Sequence, residues 1–327
     1  LSGGGSSGIT LNASIINSDI YTNTKANLIN VSSVNDQFNN YLTLTADDNL
    51  DIETISGLVS GGAATASGAV TINNIDGVTE AVVDNSNNPN QLNLGKLIIN
   101  SNTDKSVVAR AYQGGLGFYF SGGAAVALNN VNYNQSTVIE EGSNIQLTED
   151  NKFYLKTNDN INIESNAQGY QIAGAVVGVV MADSQRSGNT VAQIGRDTNQ
   201  DQSTEKTTLE FDNSGEVVVS STREGKVKAS SITGSAGAAT INGTASTAKD
   251  TGNIHAVLNN TDILGTQAYY SSNYYGSGTT VDLYAVAKPY VEAETRSYSG
   301  SVLGSVGASK ADAVSNLDIE ASTDKNT

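Results

Sequence analysis

The residues with the clearest capacity to bind a ligand are four tyrosines in one short segment: Tyr269, Tyr270, Tyr274 and Tyr275. The chain has only 14 Tyr, 5 Phe and no Trp, so this concentration of aromatic rings sets the segment apart. A tyrosine ring offers a flat apolar face and a polar hydroxyl, which suits contact with a glycan or a protein. The same rings could instead pack a loop against the flank of the fold, and the sequence leaves both interpretations open.

Acidic residues are the second group of candidates, as oxygen ligands for calcium. They include Asp47 with Asp48, Asp159, Glu140 with Glu141, and the stretch from Asp197 to Asp201. Calcium needs about six to eight oxygens from converging loops. The spacing matches neither an EF-hand loop nor the glycine-rich nonapeptide repeat. Solvated turns are the favoured interpretation, and we expect neither a metal site nor a cofactor.

Catalysis has little support in the residue types. A carbohydrate-cleaving enzyme needs clustered carboxylates on one face, whereas the acidic residues here are scattered and lack recurring pairs. His255 is the only histidine, and its apolar neighbours Ile254 and Ala256 predict an outward or hydrogen-bonded strand residue. We predict no catalytic residues and no enzymatic activity.

Composition narrows the class of partner. The 33 Asp and Glu outnumber the 17 Lys and Arg, which gives a formal net charge of −16 and disfavours nucleic acid and anionic membranes. The absence of cysteine excludes a disulfide framework. No apolar run approaches the ~20 residues that a transmembrane helix requires. With no initiator Met or signal peptide at Leu1, we expect a segment of a longer precursor.

An internal repeat organises the chain. Strand-like starts lie near residues 42, 97, 153, 208 and 280, at intervals of 55, 56, 55 and 72 residues. Each start is followed by a run of small residues, such as Gly61–Ala64 and Gly122–Val126. Apolar residues alternate with polar ones over short stretches, which predicts strands. We therefore expect residues 1–327 to form one continuous repeat segment.

The repeat is compatible with a β-propeller or a parallel β-solenoid, and the lack of Trp-containing blade signatures favours the solenoid. The prediction is an all-β fold, a parallel β-helix in which each ~55-residue repeat makes two to three coils. At about 20 residues a coil, this gives roughly 13–16 coils and a rod about 65–75 Å long.

Several of these units resemble filamentous haemagglutinin-type exoproteins, particularly the leukotoxin-like filamentous adhesins of anaerobic bacteria. The resemblance lies in Asn49–Ile52, Ser60–Ala64 and Ala69–Ile75, and again in Gly122–Val131. It implies a right-handed parallel β-helix exported through an outer-membrane partner and displayed as a fibre on the cell surface.

The resemblance also implies a role as a structural or adhesive segment that mediates attachment or cell-cell contact. The expected partner is a glycan or protein on a host or neighbouring cell, together with association between fibres. Two alternatives stay open: a carbohydrate-active β-helix enzyme, and a glycan-binding protein like a phage tail fibre.

Overall fold

The computed structural model describes residues 2–5, 8–31, 41–88, 91–196, 206–212, 214–265 and 279–323. Across these ranges the regular structure is all strand, with no helix, so the predicted all-β class is confirmed. In chain order the strands are β1 (Ser2–Gly5), β2 (Ile9–Ile29), β3 (Tyr41–Asp84), β4 (Leu92–Glu140), β5 (Asn144–Ile172), β6 (Ala175–Ser187), β7 (Thr190–Arg196), β8 (Thr207–Phe211), β9 (Glu216–Leu258), β10 (Thr261–Gly265) and β11 (Thr280–Thr323).

The strands pair in parallel, and equivalent positions of successive repeats lie side by side. Leu42 pairs with Leu97, Leu97 with Phe153, Phe153 with Val217, and Val217 with Val281. These steps are 55, 56, 64 and 64 residues. We call each such layer a rung. One rung therefore uses one whole repeat of the sequence.

The predicted start near 208 belongs to a different part of the rung. Thr208 pairs with Asn144 below it and with Asp262 above it, in a ladder of short strands. The position equivalent to Leu97 and Phe153 is Val217 instead. The predicted start near 280 is one residue from Val281, which pairs with Val217.

Each rung folds back on itself at the run of small residues. Thr54 Oγ1 donates to Asn73 Oδ1 at 2.9 Å, and the backbone nitrogen of Ser56 donates to Thr71 Oγ1 at 3.2 Å. Positions before and after Gly61–Ala64 thus face each other across the interior. Arm A, before the turn, comprises 41–62, 96–117, 152–172, 216–236 and 280–301; arm B, after it, comprises 9–29, 64–84, 120–140, 175–196, 239–258 and 304–323.

The predicted division of each repeat into two or three coils is wrong. Every pairing in the described ranges joins residues 53 to 65 positions apart, so a repeat makes a single circuit. An arm of about 20 residues is ~70 Å long and six rungs are ~25 Å tall, which makes a broad plate and not a rod. The Asn and Asp residues that indicated turns lie on strands: Asn102 donates to Asp47 Oδ1 at 2.7 Å, and Asn158 to Asn102 Oδ1 at 3.0 Å.

The interior has two apolar clusters. At the base, beside the short strands, large side chains such as Leu97, Phe153 and Phe211 are fully buried between the arms. Farther toward the turn, alanines dominate, and short side chains reach from one arm to the backbone of the other. Ser184 Oγ, for example, donates to the carbonyl of Lys228 at 2.7 Å. Small residues therefore let hydroxyl groups cross the interior.

Gly225 is a point where the backbone requires glycine. Its φ is +115°, and a Cβ there would lie 2.3 Å from the carbonyl oxygen of Ile161 on the rung below. In the next rung its partner is Pro289, which an edge strand such as β11 tolerates.

We predict that Gly225→Ala lowers the free energy of unfolding by about 1–3 kcal/mol, because it combines a strained φ with a backbone clash. Gly243→Ala is the matched control, since a Cβ at Gly243 meets nothing within 4 Å. Urea unfolding followed by circular dichroism measures both. Equal stability of the two variants would contradict the described register.

Candidate functional site

The four tyrosines proposed for ligand binding, Tyr269, Tyr270, Tyr274 and Tyr275, lie outside the described residues. The stretch from Asp197 to Asp201 also lies outside them. Ligand binding by the tyrosines therefore stays a prediction.

The other acidic candidates are dispersed. Asp48 and Asp159 are buried between the arms, Asp47 is on the outer face, and Glu140 is paired with Arg196. Within the described ranges, no three His, Asp or Glu side chains are grouped as metal ligands. The interpretation of these acids as solvated turns is wrong for Asp48, Asp159, Asp47 and Glu140, because all four lie on strands, and Asp48, Asp159 and Glu140 are buried. Glu141 lies in a turn.

Asp48 is the centre of a buried polar cluster in the lower rungs. Lys105 Nζ lies 2.8 Å from its Oδ2, with the amine fully buried. Thr22 Oγ1 donates to the same oxygen at 2.8 Å, and the Tyr133 hydroxyl donates to it as well. The Lys105 amine also lies 4.3 Å from the centre of the Tyr133 ring, in cation–π geometry. A single carboxylate oxygen thus joins residues of three rungs.

A second charged cluster continues this band in the upper rungs. Arg186 Nη2 lies 2.7 Å from Asp159 Oδ2, and Thr190 Oγ1 donates to that oxygen at 3.0 Å. Arg223 donates to Asp250 through Nη2, and Arg186 Nη1 lies 3.8 Å from Asp250. All four charged side chains are at most 2% exposed. Together with Asp48 and Lys105 they form what we call the ion ladder, in which three carboxylates match three cations.

The local field shifts several pKa values in the ion ladder. Burial alone would raise the pKa of Asp48, but hydrogen bonds from Lys105, Tyr133 and Thr22 outweigh it and hold the pKa below its usual value. Burial lowers the pKa of Lys105 against the opposing attraction of Asp48. Burial and the Asp48 contact raise the pKa of Tyr133, while burial and Arg186 lower that of Arg223. Each charge therefore depends on its partners.

The ion ladder was missed at the sequence level although the repeat contains a signal for it. Asp48, Thr103, Asp159 and Arg223 occupy one column of the register, at steps of 55, 56 and 64 residues. Aligning the repeats at those steps would have shown charged residues, two acids and one arginine, recurring at one inward position. The charged residues of arm B that face this column could not be identified from the sequence, because the position of the turn decides which residues of the two arms lie opposite each other.

The outer faces carry exposed polar ladders. On the face near the base, Arg196 contacts Glu80 at 2.7 Å and also Glu140, while Lys25 lies 3.1 Å from Glu80. Elsewhere amide groups donate to carboxylates of the adjacent rung, as in the pairs Asn74–Asp19, Asn102–Asp47, Asn132–Asp76 and Asn160–Asp104. Neutral amides thus separate carboxylates that would otherwise stack on each other.

His255 lies on arm B and is 24% exposed through its side chain. Its Nε2 is 3.5 Å from Asp318 Oδ2 on the next rung. His255 is therefore a strand residue that contacts a side chain of the adjacent rung.

The edge formed by the turns presents apolar side chains. Phe118 and Tyr119 are 77% and 69% exposed, and Val302 and Leu303 are 89% and 81% exposed. Because exposed apolar patches mark interaction sites, this edge is a candidate for contact with a partner.

Comparisons with known proteins gave no match: no family model, no curated protein and no solved structure corresponds to this chain. None of the described residues forms a helix with the length and hydropathy needed to cross a membrane.

We predict that Lys105→Met lowers the free energy of unfolding by about 3–5 kcal/mol, because it leaves the buried Asp48 carboxylate without its cation. The matched control is Lys288→Met, which removes a 3.0 Å contact with Glu224 in which both partners are largely exposed. That variant should change stability by about 0–1 kcal/mol. Chemical denaturation compares them, and a small effect of Lys105→Met would show that Asp48 is not buried.

The lowered pKa of Asp48 also predicts how stability depends on acid. A carboxyl whose pKa is lower in the folded state stabilises the fold above its unfolded pKa of ~3.9, and the contribution disappears as the pH falls through the folded value. Asp48→Asn should therefore flatten the decline of the urea midpoint between about pH 4 and pH 2. An unchanged slope in this range would refute the assignment.

Proposed function

We propose that this chain is a flattened right-handed parallel β-solenoid that serves as a structural and adhesive segment of a secreted bacterial cell-surface fibre. The observation that carries the proposal is the rung register, in which each repeat lies directly on the one before it. Such a stack lengthens by adding repeats without changing its cross-section.

The contacts between rungs suit a load-bearing role. β3 and β4 pair along Tyr41–Gly62 and again along Ala64–Val83, so about forty residues hold one rung to the next. β9 and β11 pair over a similar length. Because these backbone hydrogen bonds act together, separating two rungs requires breaking many of them at once.

The charged residues support a structural role over a catalytic one. Buried ion pairs engage the carboxylates of Asp48, Asp159 and Asp250. Exposed carboxylates, such as those of Asp47 and Asp104, accept hydrogen bonds from neighbouring rungs. These groups hold rungs together. A general acid or base would instead need to face a bound substrate.

Display on a bacterial surface, export through an outer-membrane partner and adhesion are supported by the resemblance in Asn49–Ile52 and Gly122–Val131. The lack of cysteine suits a chain that is exported unfolded. The partner we propose is a glycan or protein of a host or neighbouring cell. The predicted tyrosine segment is the candidate contact region for it.

Single-molecule stretching tests the structural part of the proposal. Rungs that detach one at a time should lengthen the chain in steps of 55–65 residues, which is about 200–230 Å of contour. Steps of about 70 Å, expected from 20-residue coils, would contradict it.

Adhesion needs a separate measurement. Beads coated with the chain should be retained on bacterial or epithelial cell layers under flow, and beads coated with an unrelated acidic protein of similar charge should not. Tyr270→Ala combined with Tyr274→Ala should reduce retention if the tyrosine segment contributes. Equal retention of both kinds of bead would refute the adhesive role.

A further inference from the structure

Charge is distributed very unevenly along each repeat. Every turn lies inside a stretch without any Asp, Glu, Lys, Arg or His, although the chain carries a net charge of −16. These stretches are 1–18, 54–75, 111–139, 165–182, 229–248 and 297–309. Stacking aligns them, so the described part of one edge of the plate, which we call the turn edge, carries no Asp, Glu, Lys, Arg or His, whereas the chain as a whole is acidic.

Large apolar side chains project from the turn edge at two rungs. The register between β3 and β4 shifts at the turn, where Phe118 and Tyr119 occupy the space that Ala63 occupies one rung below. The register between β9 and β11 shifts in the same way, with Val302 and Leu303 opposite Ala238. Extra residues of this kind form bulges that redirect side chains outward.

These two projections alternate with recesses. Phe118 and Tyr119 pack against each other edge to face, with ring centres 4.9 Å apart. The two intervening rungs turn through Ala173–Gly174 and Gly237–Ala238, which have almost no side chain. The projections are three rung spacings apart, which is about 14 Å. The edge therefore has a knob, a recess two rungs wide, and a second knob.

From this shape and charge pattern we propose that the turn edge pairs with the turn edge of a second copy of the chain. A two-fold axis would place the Phe118–Tyr119 knob of each copy in the recess of the other, as an isologous interface requires, and the Val302–Leu303 knob opposite the small residues of the Gly61–Ala64 turn. Two molecules of charge −16 repel each other, and the turn edges can meet without bringing like charges together. The inference goes beyond the fibre role and does not depend on adhesion.

The size of the edge fits a specific interface. It is about 25 Å tall, and the tip with its adjacent flanks is about 30 Å wide, so it can bury on the order of 750 Å² per copy. Stable interfaces bury ~800 Å² per partner. The flank of arm B adds exposed Val177, Val179 and Ile241, beside a groove that reaches Met181 and Ala308 and ends at Lys310. Apolar surface thus extends from the knobs onto this flank.

The test is sedimentation equilibrium of the chain and of two variants, Phe118→Asp and Leu303→Asp, one in each knob. The chain should form dimers, and each variant should raise the dimer dissociation constant by about tenfold or more. Tyr284→Asp is the matched control, because it adds the same charge to an exposed ring far from the turn. Circular dichroism verifies that all variants are folded. Added salt should strengthen the dimer, since it screens the acidic faces.

Cross-linking gives an independent measurement, because the chain has no cysteine of its own. A short bis-maleimide should link Tyr119→Cys into dimers and leave Tyr284→Cys monomeric. The proposal is overturned if the chain is monomeric at every concentration, or if Tyr284→Asp disrupts the dimer as much as the edge variants do. It is also overturned if a monomeric chain binds neutral phosphatidylcholine vesicles through the turn edge.

Discussion

The parallel register between rungs is the constraint on which the rest of the structure depends. Because each residue lies about 4.8 Å from its equivalents above and below, its side chain is stacked on theirs. Like charges in such a column repel, so carboxylates stack on amides, as in the column of Asp47, Asn102 and Asn158. Asparagine side chains therefore separate the many carboxylates of the chain, and hydrogen bonds between the two form ladders on the exposed faces.

The same constraint governs the interior. The two arms pack closely through alanine and serine. A larger polar side chain in this interior therefore needs a partner of opposite charge or a hydrogen-bond partner on the facing arm. The ion ladder meets this condition because its three carboxylates and three cations neutralise one another, and each partner comes from a different part of the rung. Removing one charged side chain of the ion ladder leaves its partner buried without water or a counterion. The buried charges specify which rungs and arms belong together, and the apolar clusters on either side supply most of the stabilisation.

Much of this arrangement could be predicted from the sequence, and the failures have physical causes. Composition and alternation identified the all-β class, and the starts at Leu42, Leu97 and Phe153 are paired in the structure. The number of coils was wrong because asparagine favours both turns and exposed strand ladders, and local sequence does not distinguish the two. The uncharged stretches around each turn were visible in the sequence. The role of Tyr269 and its neighbours stays a prediction.

The central claim is that one repeat makes one circuit, and a distance between two spin labels tests it most directly. Labels at Asn102→Cys and Asn158→Cys, which are 56 residues apart, should lie one rung apart, at about 5 Å between Cα atoms. Labels at Asn102→Cys and Ala124→Cys, which lie on opposite arms of one rung, should be about 35 Å apart. Electron paramagnetic resonance measures both pairs. A short distance between positions 102 and 124 together with a long one between 102 and 158 would contradict the account.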